Sequence, residues 1–443
     1  MLAKTIFVLA ASLVAAVVHG ERYLFTNGHL VTMTDDQVIA SDLLVDGDRI
    51  AAVGTDLASD GAIIVDMQGG YLMPGVAEMH AHVPQPSTGR QYRDDVLFLW
   101  VANGVTTARS MLGHAEHLSL KKRIERDEVL GPRIMTSGPS FNGNSVTSPE
   151  QATAMVRSQV EAGFDFLKIH PGLTRAEYDA MADTAHELGI EFAGHIPLDV
   201  GLRHALSKGQ LTVDHADGYV RALVPDFGPQ TPGYRSSFGV GLVERVDLNL
   251  LPELVTATRA ADSWVVPTQT LLENFAGDID ELTNRPEIRY LPPPTRANYR
   301  RAIEGRGGNR DAGKALVNLR QAIIIGLHDG GAGLLLGSDA PQIFNVPGFS
   351  IHRELQSLVD AGLSPYDAIA TGTVNVARFF DMQDEFGQLR SGLAADLILL
   401  EHNPLERIEH TQGIRGVMVR GRWLDEATRS QGLADIARRY ADG

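Results

Sequence analysis

The chain has 443 residues, 44% hydrophobic and 21% charged, an ordinary globular composition with room for a large core and a smaller second unit. Its formal charge of −16 argues against nucleic acid or an anionic membrane surface as a partner. With no cysteine, disulfides, thiolate catalysis, cysteine-ligated zinc and a lipid-modified N-terminal cysteine are all excluded, so any metal must be held by nitrogen and oxygen.

In chain order, residues 1–20 come first. Lys4 is their only formal charge, and residues 6–18 are apolar apart from Ser12. That run is too short to cross a bilayer as a helix. With Val18-His19-Gly20 offering a small residue for cleavage, it reads as a secretory signal. The protein is therefore expected to be exported, periplasmic or secreted, with no stable membrane anchor. Over residues 23–67, short β-branched runs broken by Asn27-Gly28, Asp46-Gly47 and Gly54-Thr55 predict a small antiparallel β unit. Residues 395–400 and 414–423 give more short strands at the other end. The two ends, 21–73 and 387–443, are expected to form one small β-sandwich domain around a central domain of residues 74–386.

The central stretch alternates buried strands with amphipathic helices. Strand candidates end at His80, Met111, Ser137, Lys168, His195, His215, Thr268 and Ser338, and eight is the number that closes a parallel barrel. Cap chemistry punctuates the helices. Ser148-Pro149-Glu150-Gln151 offers an N-cap, a proline at the first helical position and a capping-box Gln, with Gly163 as the stop. Thr174 with Glu177 repeats the box before Gly189, and Ser364-Pro365 opens another helix. The predicted fold is an α/β (β/α)8 TIM-like barrel carrying the β-sandwich domain. Residues 225–245 and 274–310, rich in Pro, Gly, Arg and Asn, break the rhythm and read as elaborations over the barrel mouth.

The chemistry gathers at strand ends. In Pro74-Gly75-Val76-Ala77-Glu78-Met79-His80-Ala81-His82, an apolar run delivers two histidines two residues apart, which point to one side of a strand. Imidazole is the commonest metal-ligating side chain. Lys168, His195, His215 and Asp339 occupy equivalent strand ends, where barrels of this kind place their catalytic groups. Together these residues make a metal-hydrolase signature.

The stretches PGVAEMHAHV, GVTTAR, GFDFLKIH, AGHIP, TVDHADGY, LLLGSDAP, IATGTVNVARFF and GQLRSGLAADLILLEHNPL resemble the amidohydrolase superfamily, close to its imidazolonepropionase-like and Xaa-Pro-dipeptidase-like members. The resemblance covers essentially everything after the signal segment and fades in the two elaborated loops. It implies two divalent metal ions, zinc the leading choice. His80, His82 and Asp339 would serve one, His195 and His215 the other, and Lys168, N6-carboxylated, would bridge both. A free ammonium has no lone pair and would repel two cations, whereas a carbamate is an anionic two-oxygen ligand. The implied reaction is hydrolysis of a C–N amide bond by a metal-bridging hydroxide, with Asp339 as proton shuttle.

Tyr219, His170, Gln342 and Asn345 lie where substrate-binding groups would be found, with a packed loop tyrosine the competing reading of Tyr219. His114 and His117 read as a solvated helix start, His352-Arg353-Glu354 as structural, and Arg109 as one half of a buried ion pair. Dipeptidase-like members carry a histidine in the glycine-rich loop after the third strand. Here Gly138-Pro139-Ser140-Phe141-Asn142-Gly143-Asn144-Ser145 has none, which puts the usual capture of a peptide carboxylate in doubt. The expected partner is a small-molecule or dipeptide substrate, and a homo-oligomer is expected. Two other functions compete. One is ester, lactone or phosphoester hydrolysis at the same site; the other is a non-catalytic exported metal- or solute-binding protein.

Overall fold

The computed structural model describes residues 21–305 and 310–441. The expected signal segment, residues 1–20, lies outside the described residues. Among those described, no helix is long and apolar enough to cross a membrane.

The two ends of the chain meet in sheet structure. A four-stranded sheet runs in the order Arg49–Gly54, Asp42–Asp46, Arg22–Thr26, Ile63–Asp66. A six-stranded sheet runs Arg422–Asp425, Ile414–Val419, Leu397–Leu400, Tyr71–Pro74, His29–Val31, Val38–Ala40. The sheets are mixed rather than purely antiparallel, because Arg22–Thr26 pairs in parallel with Ile63–Asp66, and His29–Val31 with Tyr71–Pro74. Gly47, at φ 62°, supplies the left-handed residue that the tight hairpin after Asp42–Asp46 requires. Phe25, Leu43 and Val45 from the smaller sheet share one core with Leu30, Leu72, Leu397 and Met418 from the larger.

Strand Tyr71–Pro74 passes through a single glycine into the central unit. Gly75 donates its N–H to Asp396 O at 2.8 Å, and a Cβ there would stand 2.3 Å from Thr106 Oγ1. The central strands are β1 (Val76–Ala81), β2 (Val105–Ser110), β3 (Arg133–Thr136), β4 (Leu167–Ile169), β5 (Phe192–Gly194), β6 (Thr212–Asp214), β7 (Trp264–Val266) and β8 (Gly333–Leu334). Seven of the eight end within two residues of the positions expected from sequence; the last stops at Leu334 rather than Ser338. Between them, helices start and stop on the residues that cap chemistry demands. Thr174 and Glu177 form the full capping box on Arg175–Leu188, and Gly163 and Gly189 end their helices at φ 84° and 67°. Gln151 departs from the box, since its side chain accepts from Thr147 N at 2.9 Å rather than from the N-cap Ser148.

The expected continuous eight-stranded ladder does not form. The strands fall into one parallel sheet of three, β1 to β3, and one of five, β4 to β8. The seams are adjacent in space. Asp165 N donates to Thr136 O at 3.0 Å, Met79 N to Leu336 O at 2.8 Å and His82 N to Ala340 O at 2.9 Å. What interrupts the ladder is the same at each: a side-chain carboxyl oxygen takes a backbone N–H. Asp165 Oδ2 accepts from Thr136 N at 2.7 Å, and Glu78 Oε1 accepts from Ser338 N at 2.7 Å. Each interception satisfies the amide locally, so strand pairing is not needed there.

Candidate active site

The carboxyl ends of these strands converge on one cavity of about 430 Å³. His80 from β1, His82 just beyond it, His195 after β5, His215 after β6 and Asp339 after β8 all line it. A ligand atom from each of His80, His215 and Asp339 lies within 4.8 Å of the others, and all three residues are buried. The rings of His80 and His215 are 4.5 Å apart, and those of His195 and His215 4.4 Å. Lys168, from β4, is fully buried; its Nζ lies 3.4 Å from His80 Nε2 and 3.5 Å from Asp214 Oδ2.

Two of the inner histidines are held from behind. His195 Nδ1 lies 2.6 Å from Asp217 Oδ2, which as a carboxylate can only accept, so the proton sits on Nδ1. Thr268 Oγ1 donates to Pro267 O at 2.7 Å and therefore accepts from His215 Nδ1 at 2.8 Å. His80 Nδ1 lies 3.2 Å from Asp214 Oδ2, and neither atom has a hydrogen-bond partner among the described residues. In His195 and His215 the contacts to Asp217 and Thr268 occupy Nδ1 and leave Nε2 without a partner among the described residues, the division of labour found behind metal-binding histidines. Burial first, with neighbouring cationic side chains adding, holds His80 and His215 well below the ordinary imidazole range. Both shifts favour the neutral imidazole, the form with a lone pair to give. Burial likewise lowers Lys168, against the opposing pull of Asp214 and Asp339.

Two of these groups stand in backbone conformations that side chains disfavour. His215 has φ 60° and Asp339 φ 65°, each costing on the order of 1–3 kcal/mol. The fold over-determines them. Arg320, fully buried, donates to the carbonyl of His215 and, at 2.6 Å, to that of Pro267, while Asp339 N donates to His80 O at 2.9 Å.

The donor set suits a cation. Asp339 Oδ1 is buried and has no hydrogen-bond donor, although His82 Nε2 is 2.7 Å away. An acceptor facing a ring nitrogen without a shared proton is how ligands look when they converge on a positive ion. Asp339 Oδ2 does have a donor, Gln342 Nε2 at 3.2 Å.

The other sequence candidates divide. His170 and Gln342 line the cavity, with the His170 ring 5.2 Å from that of His195. Tyr219 does not reach it. Gly218, at φ 82°, opens a short helix that turns Tyr219 into the interior, where its hydroxyl meets Thr258 Oγ1 at 2.6 Å. Asn345 is also a scaffold residue: its amide donates to Ser338 O and its Oδ1 accepts from Asn274 at 2.8 Å, pinning the turn after Asp339. Arg109 is the buried ion-pair partner its sequence context suggested, 3.1 Å from Asp214 Oδ1. His114 caps its helix, and His352 is buried between Thr411 and Asn103. Both elaborated loops reach the cavity, Phe238 from one and Phe275, Thr295 and Tyr299 from the other. Sequence reasoning missed Asp214, Asp217, Thr268 and Arg320. Only Asp214 and Asp217, flanking His215 in TVDHADGY, left a local trace.

The Amidohydrolase family model matches residues 241–424. A D-hydantoinase of Geobacillus stearothermophilus is 34% identical over 249 residues, 54% of this chain and 52% of that protein. A dihydroorotase of Bacillus cereus is 31% identical over 111 residues, 23% of this chain and 26% of that protein. This chain thus spans about half, or less, of the length of these curated relatives. Among solved structures, a Xaa-Pro dipeptidase with methionine in its active site superposes with a TM-score of 0.68 at 20% identity, over 91% of this chain and 100% of that one. Bottromycin amidohydrolase gives 0.72 at 21%, over 95% and 90%. At such identities the likeness is one of fold; the family-model match and the likeness to the hydantoinase agree with the resemblance read from the motifs.

Proposed function

We propose, for a chain that is a relative of the Amidohydrolase family, that it is a binuclear metal-dependent hydrolase of C–N amide bonds in a small molecule or dipeptide. The observation that carries this is Asp339 Oδ1, buried and without a donor beside His82 Nε2, in a cavity that His80, His195 and His215 also line. His80, His82 and Asp339 would hold one ion, His195 and His215 the other, with Lys168 between them. Bound there, divalent ions supply Lewis acidity toward a carbonyl oxygen and bring the pKa of water toward neutrality.

The chain's own residues do the rest. Burial favours the neutral amine of Lys168, the form that adds to carbon dioxide; Nζ forms the new N–C bond and releases a proton, leaving an anionic two-oxygen ligand. Asp217 and Thr268 fix the rings of His195 and His215. Asp339, at the mouth of β8, takes the proton of the attacking water and returns it to the leaving nitrogen. Around this site we read the eight strands as one closed ring, the two sheets joined at their seams, with residues 21–73 and 387–443 as the accessory domain. Export rests on the apolar run of residues 6–18; N-terminal sequencing of protein made in an exporting host should find a start near Glu21.

The test is an amide and ester panel run with protein purified without chelator. Elemental analysis should give close to two divalent ions per chain, and amides should turn over. Full amide activity at one ion per chain would remove the binuclear reading. Turnover of esters alone would favour the ester, lactone or phosphoester alternative, and metal without turnover of either would favour the binding protein.

A further inference from the structure

His352-Arg353-Glu354 lies in helix Phe349–Asp360, and its first two members serve the scaffold. His352 is buried between Thr411 and Asn103, and Arg353 Nε donates to Glu287 Oε1 at 2.7 Å. Glu354 has a different task. It is fully buried, its Oε1 accepting from Gln269 N and its Oε2 from Thr270 N, each at 2.8 Å. Those are the first two amides of helix Gln269–Ala276, which begins directly after Thr268.

A threonine just ahead of a helix ordinarily caps it, its hydroxyl accepting from the amide of the second or third helical residue. Thr268 makes no such bond. Its hydroxyl donates to Pro267 O and accepts from His215 Nδ1. Its backbone is equally unusual, at φ 48° and ψ 47°, a left-handed conformation that a β-branched side chain disfavours. The segment is gripped on both sides. Arg320 donates to Pro267 O before it and, through Nε, to Gln269 Oε1 after it at 2.9 Å. Leu271 N donates to Thr268 O at 3.1 Å. With Gln269 N and Thr270 N taken by Glu354, the first three amides of the helix are satisfied without the threonine hydroxyl.

We infer that Glu354 is a positioning residue of the metal site: it caps helix Gln269–Ala276 in place of Thr268 and so leaves the Thr268 hydroxyl to His215. This rests on the reading of His215 as a metal ligand. Glu354 itself is not among the residues that line the cavity. Without it, two buried amides at a helix start lose their acceptor, and Thr268 stands where a helix start recruits its cap. A hydroxyl turned to that task releases His215 Nδ1, and with it the tautomer that presents Nε2.

The experiment compares the full chain with Glu354→Ala, Glu354→Gln, Thr268→Val, the Glu354→Ala/Thr268→Val double variant and His352→Ala. Zinc affinity is measured by chelator competition. Glu354→Ala should weaken it by about tenfold, the scale for groups that orient a ligand, and Glu354→Gln, which keeps one acceptor oxygen, by less. In the Thr268→Val background, Glu354→Ala should add less than about threefold, because the hydroxyl it frees is already gone. His352→Ala, which breaks buried bonds on the same helix, should stay within about threefold of wild type. In the metal-free protein, heteronuclear NMR of the histidine rings should find His215 as the Nδ1–H tautomer in the wild type and as a mixture in both Glu354 variants. Glu354→Gln carries both measurements should the alanine variant fold poorly. Wild-type affinity and tautomer in a folded Glu354 variant would overturn the inference. So would losses that multiply in the double variant, or an equal loss in His352→Ala. A wild-type chain that binds no zinc would remove the metal reading, and the tautomer comparison would still decide whether Glu354 governs His215.

Discussion

Asp217 Oδ2 stands 2.6 Å from His195 Nδ1, and the two residues come from different strand ends, 22 positions apart in the chain. The carboxylate fixes the tautomer and the orientation of the ring together.

Removing such a support should loosen metal before it alters anything else. Asp217→Asn and Thr268→Val are each expected to weaken metal affinity by about 10- to 100-fold. Competition with a calibrated chelator measures it. Wild-type affinity in both variants would make these contacts incidental to the site.

Asp339→Asn separates catalysis from ligation. It keeps the size of the side chain and one oxygen but loses the titratable group. Metal content should be largely retained while kcat falls by about 10² to 10⁴, roughly 3 to 5 kcal/mol of barrier. An Asn variant with full metal and turnover within about threefold of wild type would refute the shuttle role.

Lys168→Ala should lose metal and activity together, because the fully buried amine stands between His80 and Asp214 with no surface role to play. Added short carboxylates, which mimic a carbamate, should restore part of the turnover. Unchanged metal content and rate in the variant would make Lys168 a bystander.

Glu78 predicts a pH dependence of stability. Burial first, against hydrogen bonds from Ser338 and His80, raises its carboxyl from 4.5 to about 8. Between those values the folded chain keeps a proton that the unfolded chain has released, so stability falls as pH rises through this window. The slope approaches about 1.4 kcal/mol per pH unit. Glu78→Gln can keep the contact to Ser338 N through its oxygen and donate to Ser338 Oγ, 2.5 Å away in the wild type. Denaturant midpoints of the Gln variant should therefore be flatter from pH 5 to 8; an unchanged slope would place the protonation elsewhere.

The parts of this molecule that were legible in the sequence are those written locally. An apolar strand ending in His80 and His82 announces both the strand and its ligands. Thr174 and Glu177 announce the start of a helix three residues apart, and Gly189 its stop. The supports of the site were not legible, because the contacts that define them are made in space. Thr268 touches His215 across 53 positions and Arg320 reaches the carbonyl of His215 across 105. Tyr219 misled for a related reason. Its spacing from His215 suits a group over the site, but direction depends on the left-handed Gly218, which sequence spacing does not encode. The barrel seams were hidden likewise, since nothing local marks Asp165 and Glu78 as carboxylates that would claim a neighbour's amide.

The passage of strand Tyr71–Pro74 into β1 through Gly75 has a consequence in time. Tyr71–Pro74 is flanked in its sheet by His29–Val31 on one side and by Leu397–Leu400 on the other. The second neighbour is made more than three hundred residues after the first. While the chain is still on the ribosome, the segment that aims His80 and His82 therefore hangs from a sheet with one side open. The strand that leads into the earliest ligands synthesised completes its sheet only when the far end of the chain has been made.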